Sequence, residues 1–139
     1  MRFLGIDLGE KRIGLAVSDF DGKVAMPLRT LQRRSDAQAV TELKAIVLAE
    51  EIGAVVIGEP RRLDGARSEA ARRAAAFAAK LQAAIGLPCR LVDEALTSVA
   101  AAERLREAGV DPRRRPERLD AVAAQILLQD ALDSPEGTR

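Results

Sequence analysis

A chain of 139 residues, 47% of them hydrophobic, is long enough for one domain with its own core and too apolar to stay disordered. Its 22 basic and 21 acidic residues leave a net charge of +1, so only local clustering can speak for a charged partner. With one cysteine and no histidine, an internal disulfide, a Cys/His zinc site and a catalytic histidine are all excluded, and aromatics at 2% argue against a nucleic-acid surface built on base stacking.

In chain order, Phe3–Asp7 and Ile13–Val17 predict an antiparallel hairpin closed by the short link Gly9–Lys11. Lys23–Leu31 predicts a third strand, joined through Asp21-Gly22, and Pro27 confines it to a sheet edge. Ser35 with Gln38 reads as a capping box. It opens a helix with Val40, Leu43 and Val47 on one face, expected to end near Gly53. The continuous apolar run Ala54–Gly58 predicts a buried parallel strand. A loop over 59–67 follows, containing Pro60 and Asp64-Gly65. Ser68 then opens an Ala-rich helix with Ala70, Ala74, Phe77 and Leu81 at helical spacing, stopped by Gly86 and Pro88.

Cys89–Asp93 predicts a further strand, with Cys89 as a small core residue. Thr97 caps a helix that ends near Gly109, and Val110–Arg115 is a basic linker. Pro116 starts the last helix, with Leu119, Val122 and Ile126 expected to face inward. Ser134–Arg139 reads as a frayed tail. There is no long apolar span and no charged-then-apolar leader, so a cytosolic protein with no membrane contact is expected.

The order β-β-β-α-β-α-β-α-α predicts one α/β domain over residues 1–139. Its mixed five-stranded sheet has the first three strands antiparallel and helices on both faces. Right-handed crossovers put the fourth strand beside the first, and ligands favour the C-terminal edge at such a switch point.

Acids gather at that edge. Asp7 ends the first strand, Glu59 follows the fourth, and Asp93 and Glu94 end the fifth. Converging carboxylates repel one another unless a cation joins them. Asp120 lies one turn into the last helix on a face that is otherwise small or apolar, with Ala123 and Ala124 beside it. Carboxylates without histidine suit hard cations, Mg²⁺ or Mn²⁺. Two such ions clamp the attacking and leaving oxygens of a phosphodiester, which is a nuclease arrangement. Cations lie near these acids in sequence. Arg61, Arg62, Arg67, Arg72 and Arg73 lie on or after the fourth-strand loop, and Arg113, Arg114, Arg115 and Arg118 lead into the last helix. A nucleic-acid backbone approaching carboxylates needs such charges. Lys11 and Arg12 read equally as phosphate contacts or as hairpin charges.

Four segments carry a resemblance. G-I-D-L-G-E-K-R-I-G-L-A-V-S-D at the start, Val56–Gly65, Val92–Ser98 and Leu119–Asp133 together resemble, in order, the motifs of the YqgF (RuvX) family of RNase H-like nucleases. The resemblance implies a ribonuclease H-like fold and a bacterial cytosolic protein. It also implies nucleolytic maturation of the small-subunit ribosomal RNA precursor, with Holliday-junction resolution as an older proposal for the family. Carried over by motif, the catalytic acids and metal ligands are Asp7, Glu94 and Asp120. Two positions depart from the family pattern: Ala95 stands where the third motif usually has Arg, and Glu59 where the second usually has an apolar residue. The expected partner is structured or precursor ribosomal RNA, with branched DNA as the alternative substrate. Lys11, Arg12, Arg61, Arg62, Arg113, Arg114 and Arg115 are the candidate contacts. A non-catalytic nucleic-acid-binding module stays open, as do monomer and homodimer. A sugar-kinase-like ATPase shares a similar first hairpin but needs two such domains.

Overall fold

The computed structural model describes residues 1–59, 69–93 and 97–134, with the backbone alone at Glu59, Asp93, Thr97 and Ser98. In chain order the elements are β1 (Phe3–Leu8), β2 (Arg12–Ser18), β3 (Ala25–Gln32), α1 (Asp36–Ala49), β4 (Ala54–Glu59), α2 (Glu69–Ile85), β5 (Cys89–Asp93), α3 (Thr97–Glu107) and α4 (Pro116–Asp133). The sheet runs β3-β2-β1-β4-β5. β1 pairs antiparallel with β2 and β2 with β3, while β1–β4 and β4–β5 are parallel. The mixed sheet and the placement of β4 beside β1 are as the sequence predicts.

Strand alternation splits the molecule into two unequal faces. Leu4, Ile6 and Leu8 of β1 join Leu43 and Val47 of α1 and Phe77 and Leu81 of α2 in the larger core. The opposite face is paved with small residues. Ala16 and Val56 lie under Ala124, Leu128 and Ala131 of α4. A Cβ on Gly5 would come within 2.7 Å of the Leu128 Cβ, so α4 can lie this close only because β1 has no side chain there.

Leu119, Val122 and Ile126 face inward as expected, but into a cluster with Ala101 of α3 and Ala123 rather than onto the sheet. Helix α4 is apolar on two sides, so periodicity alone could not tell which side meets the sheet. In α2, Ala71 takes the buried place expected for Ala70, while Ala74, Phe77 and Leu81 are buried as predicted. The capping box at Ser35 and Gln38 is formed. Helix α1 stops at Ala49, short of Gly53, and Glu51 takes a left-handed φ of 56°.

Pro27 sits on edge strand β3, as expected, and α4 covers that strand with side-chain amides. Gln129 Oε1 accepts from the Ala25 N–H at 2.8 Å, and Gln125 Nε2 donates to the Ala25 carbonyl at 3.1 Å. Gln129 Nε2 donates to the Lys23 carbonyl at 2.9 Å. These bonds supply partners that an edge strand otherwise finds only in water or in another chain. Among the described residues no helix is long and apolar enough to cross a membrane.

Cys89 is half-buried, and burial pushes its thiol up to about 11. The neutral thiol is the folded form. Its contribution to stability is therefore present below the unfolded value and lost as pH climbs through about 11. Alkylation at pH 8 should be about a hundredfold slower in the native protein than in urea-unfolded chain. Equal rates would mean the thiol is not buried.

Candidate active site

The carboxyl end of β1 carries Asp7, whose cross-strand partner is Gly14 of β2. Gly5, two residues earlier, faces α4, so Asp7 lies on the same side of the sheet. Helix α4 crosses this point at Asp120. A Cβ on Gly14 would lie 2.0 Å from the Asp120 carbonyl oxygen and 3.0 Å from its Cβ. The absent side chain of Gly14 thus lets Asp120 settle beside the strand pair that carries Asp7.

Local chemistry explains why α4 starts where it does. Pro116 occupies the first turn, where its missing N–H costs nothing. The Thr30 hydroxyl donates to the Glu117 carbonyl and ties that turn to β3. Asp120 follows one turn later.

Arg12 closes the group. Its Nε donates to Asp120 Oδ2 at 2.6 Å, across 108 residues of sequence. The two side chains are 38% and 20% exposed, so the pair sits in partly dry surroundings where it is less screened than a surface ion pair. An open cleft of about 240 Å³ beside it is lined by Gly9, Glu10, Lys11, Arg12 and Asp120. Replacing Arg12 by Ala should leave a half-buried carboxylate without its cation and cost about 1–3 kcal/mol in a urea titration. No loss of stability would show the bond to be dispensable.

Glu59 and Asp93 end β4 and β5 in register with each other, at the same sheet edge as Asp7. Glu94, Ala95, Arg61, Arg62 and Arg67 lie outside the described residues. Among the described residues no three His, Cys, Asp or Glu side chains gather closely enough to hold a metal ion. Arg72 pairs with Glu69 at 3.1 Å, and Arg73 with Glu10 at 3.6 Å. Arg113 and Arg114 both reach Asp111, at 3.4 Å and 4.0 Å, and remain highly exposed. The Arg113 N–H, more than its side chain, holds the Asp111 carboxyl below its ordinary range. Arg114, Arg115 and Arg118 line a second open cleft of about 360 Å³ with Gly109, Val110 and Asp111, whereas Arg113 does not line it.

Sequence reasoning missed Gly14 and Arg33. An isolated glycine inside a strand pattern signals a close backbone approach, so Gly14 was there to be found. Arg33 left no such signal. Its partners come from the turn after β1 and from two helices.

The model of the RuvX family, described as Holliday junction resolvase, matches residues 1–134. The chain belongs to the RuvX family. Relatives carry the name "Putative pre-16S rRNA nuclease". One from Maridesulfovibrio salexigens is 43% identical over 129 residues, covering 93% of this chain and 96% of its own. One from Anaeromyxobacter sp. strain Fw109-5 is 41% identical over 133 residues, covering 96% and 97%. Among solved structures, RuvC of T. thermophilus in complex with a Holliday junction substrate superposes with a TM-score of 0.60 at 20% identity, over 99% of this chain and 98% of that one. At that identity the likeness shows the ribonuclease H-like fold alone. The RuvX match spans every element that builds the Asp7–Gly14–Asp120 group.

Proposed function

We propose that this RuvX-family chain acts as one domain that hydrolyses phosphodiester bonds of the small-subunit ribosomal RNA precursor, in the cytoplasm where that precursor is made. The observation that carries the reading is the placement of Asp120 against Gly14, the cross-strand partner of Asp7, with Arg12 bonded to Asp120. Family membership and the relatives' names support a nuclease.

The donor chemistry fits a hard divalent cation. Asp7 and Asp120 offer oxygen only, and the chain has no histidine. Asp7, Asp120 and Glu94 would hold Mg²⁺ or Mn²⁺, which when bound lowers the pKa of an attacking water and offsets charge on the leaving oxygen. Arg12 keeps Asp120 turned toward the cleft through its Nε bond. It also places a positive charge where a phosphate must approach two carboxylates. Lys11 lines the same cleft. Arg61, Arg62, Arg113, Arg114 and Arg115 are the proposed further members of a positive track for the nucleic acid. Removing both Arg114 and Arg115 should weaken binding without regard to sequence and lower the slope of log affinity against log salt by about 1–2. An unchanged slope would take these two off the track.

Branched DNA is the second reading, favoured by the description of the family model. A homodimer in solution would support it, because symmetric cuts need two sites. The test is cleavage of a precursor rRNA leader and of a four-way DNA junction, with Mg²⁺ or Mn²⁺, by wild type and Asp7→Asn. Cleavage of the RNA that is lost in the variant supports the proposal. Cleavage of the junction alone transfers it to DNA. Tight binding with no cleavage in either metal would leave a non-catalytic module.

A further inference from the structure

The hairpin turn that carries Arg12 to Asp120 is held by a residue outside the candidate site. Arg33, directly after β3, takes both carbonyls that flank Glu10. Its backbone N–H donates to the Lys11 carbonyl at 2.8 Å. Its Nη1 donates to the Gly9 carbonyl at 2.8 Å, and its Nη2 to Asp36 Oδ1 at 2.9 Å. The guanidinium lies over the ring of Phe77, 5.3 Å from its centroid, and Phe77 is fully buried. The Arg33 side chain is only 14% exposed. Lys80 Nζ holds the other oxygen of Asp36 at 3.0 Å. The two cations, Arg33 before Lys80, hold the Asp36 carboxyl below its ordinary range.

The turn itself has little slack. The Gly9 N–H donates to the Arg12 carbonyl at 3.0 Å, and a Cβ on Gly9 would come within 2.6 Å of that oxygen. Arg33 therefore grips a short loop whose far end is the backbone of Arg12. A planar fork is required, because two N–H groups set at a fixed angle must reach Gly9 and Asp36 while the charge lies over a ring. Lysine carries the charge but not the plane.

We infer that Arg33 is a positioning residue for the nuclease site. By fixing the Gly9–Lys11 turn against α1 and α2, it sets the Arg12 guanidinium on Asp120. The activity part of this inference rests on the nuclease reading above, while the structural part does not.

Two variants test it, Arg33→Lys and Arg33→Ala with free guanidinium added back. In Arg33→Lys the Gly9 amide should exchange about tenfold faster while the Leu4 and Ile6 amides of β1 keep their protection. The kcat should fall about 10–100-fold with KM nearly unchanged, as expected when a group near the reacting atoms is misplaced but substrate contacts remain. Millimolar guanidinium should restore part of the kcat of Arg33→Ala. Wild-type Gly9 exchange in Arg33→Lys would overturn the inference, as would exchange raised equally along β1, which is loss of fold rather than of position. Failure of guanidinium to restore any activity would overturn it as well. If wild type cleaves neither RNA nor DNA, the nuclease reading fails and Gly9 exchange alone decides on Arg33.

Discussion

Gly14→Ala should destabilise the protein by about 3 kcal/mol or more and lower Tm by roughly 10 °C. The new methyl would sit 2.0 Å from the Asp120 carbonyl oxygen and 2.4 Å from its carbonyl carbon. Neither atom belongs to a side chain that can rotate away, so helix and strand must part. Parting them also strips the small-residue packing of Ala124 and Leu128 from Ala16 and Val56. Gly86→Ala is the matched control. Gly86 has a φ of 69° and nothing within 4 Å of the position a Cβ would take. Its cost should be the backbone penalty of about 1 kcal/mol alone. Urea titrations of both variants measure the difference. A Gly14→Ala protein within about 1 kcal/mol of wild type would show that α4 does not rest on β2 as described.

Asp7→Asn should abolish cleavage, by about a thousandfold or more in kcat, while leaving the fold intact. The amide has the shape of the carboxylate but no charge for a divalent cation. It also leaves the Arg12–Asp120 bond untouched, so circular dichroism should remain that of the folded protein. Asp120→Asn differs in a way that separates the two roles. It too should lose activity, but it turns the 2.6 Å bond from Arg12 into a weaker one with a neutral partner and should lower stability as well. Activity surviving in Asp7→Asn would remove Asp7 from the site.

A pH dependence follows from Asp36. Its carboxyl is held below the ordinary range first by Arg33 and then by Lys80. The stability it contributes is present above the unfolded value near 3.8 and is lost as pH falls through the lower folded value. Asp36→Asn should therefore cost stability at pH 7 and progressively less in acid, a difference that urea titrations at pH 7 and pH 3 would read. Equal losses at both would rule out the ion pairs as the cause.

Much of this molecule was legible beforehand because its local signals agree. The capping box at Ser35, the unbroken apolar run of β4 and Pro116 at the head of α4 each act within a few residues. Periodicity set which side of a strand or helix is apolar. Crossover handedness then carried β4 to the side of β1 and the acids of β1, β4 and β5 to one edge. The face of α4 was not legible in the same way. Leu119 and Val122 are as apolar as Leu128, yet they serve α3 while Leu128 serves the sheet.

By itself, then, the sequence determined the element order, the mixed sheet and the gathering of acids at its carboxyl edge, since these follow from short-range chemistry and chain handedness. Only the tertiary structure decided what those acids touch. Arg12 could have been a hairpin charge or a phosphate contact, and it is bonded to Asp120. Gly14 could have been a weak point in a strand, and it is where α4 comes to rest. Arg33 carried no mark at all. Each of these depends on atoms brought together from distant parts of the chain. Distances of that kind are set by packing, which no local pattern encodes.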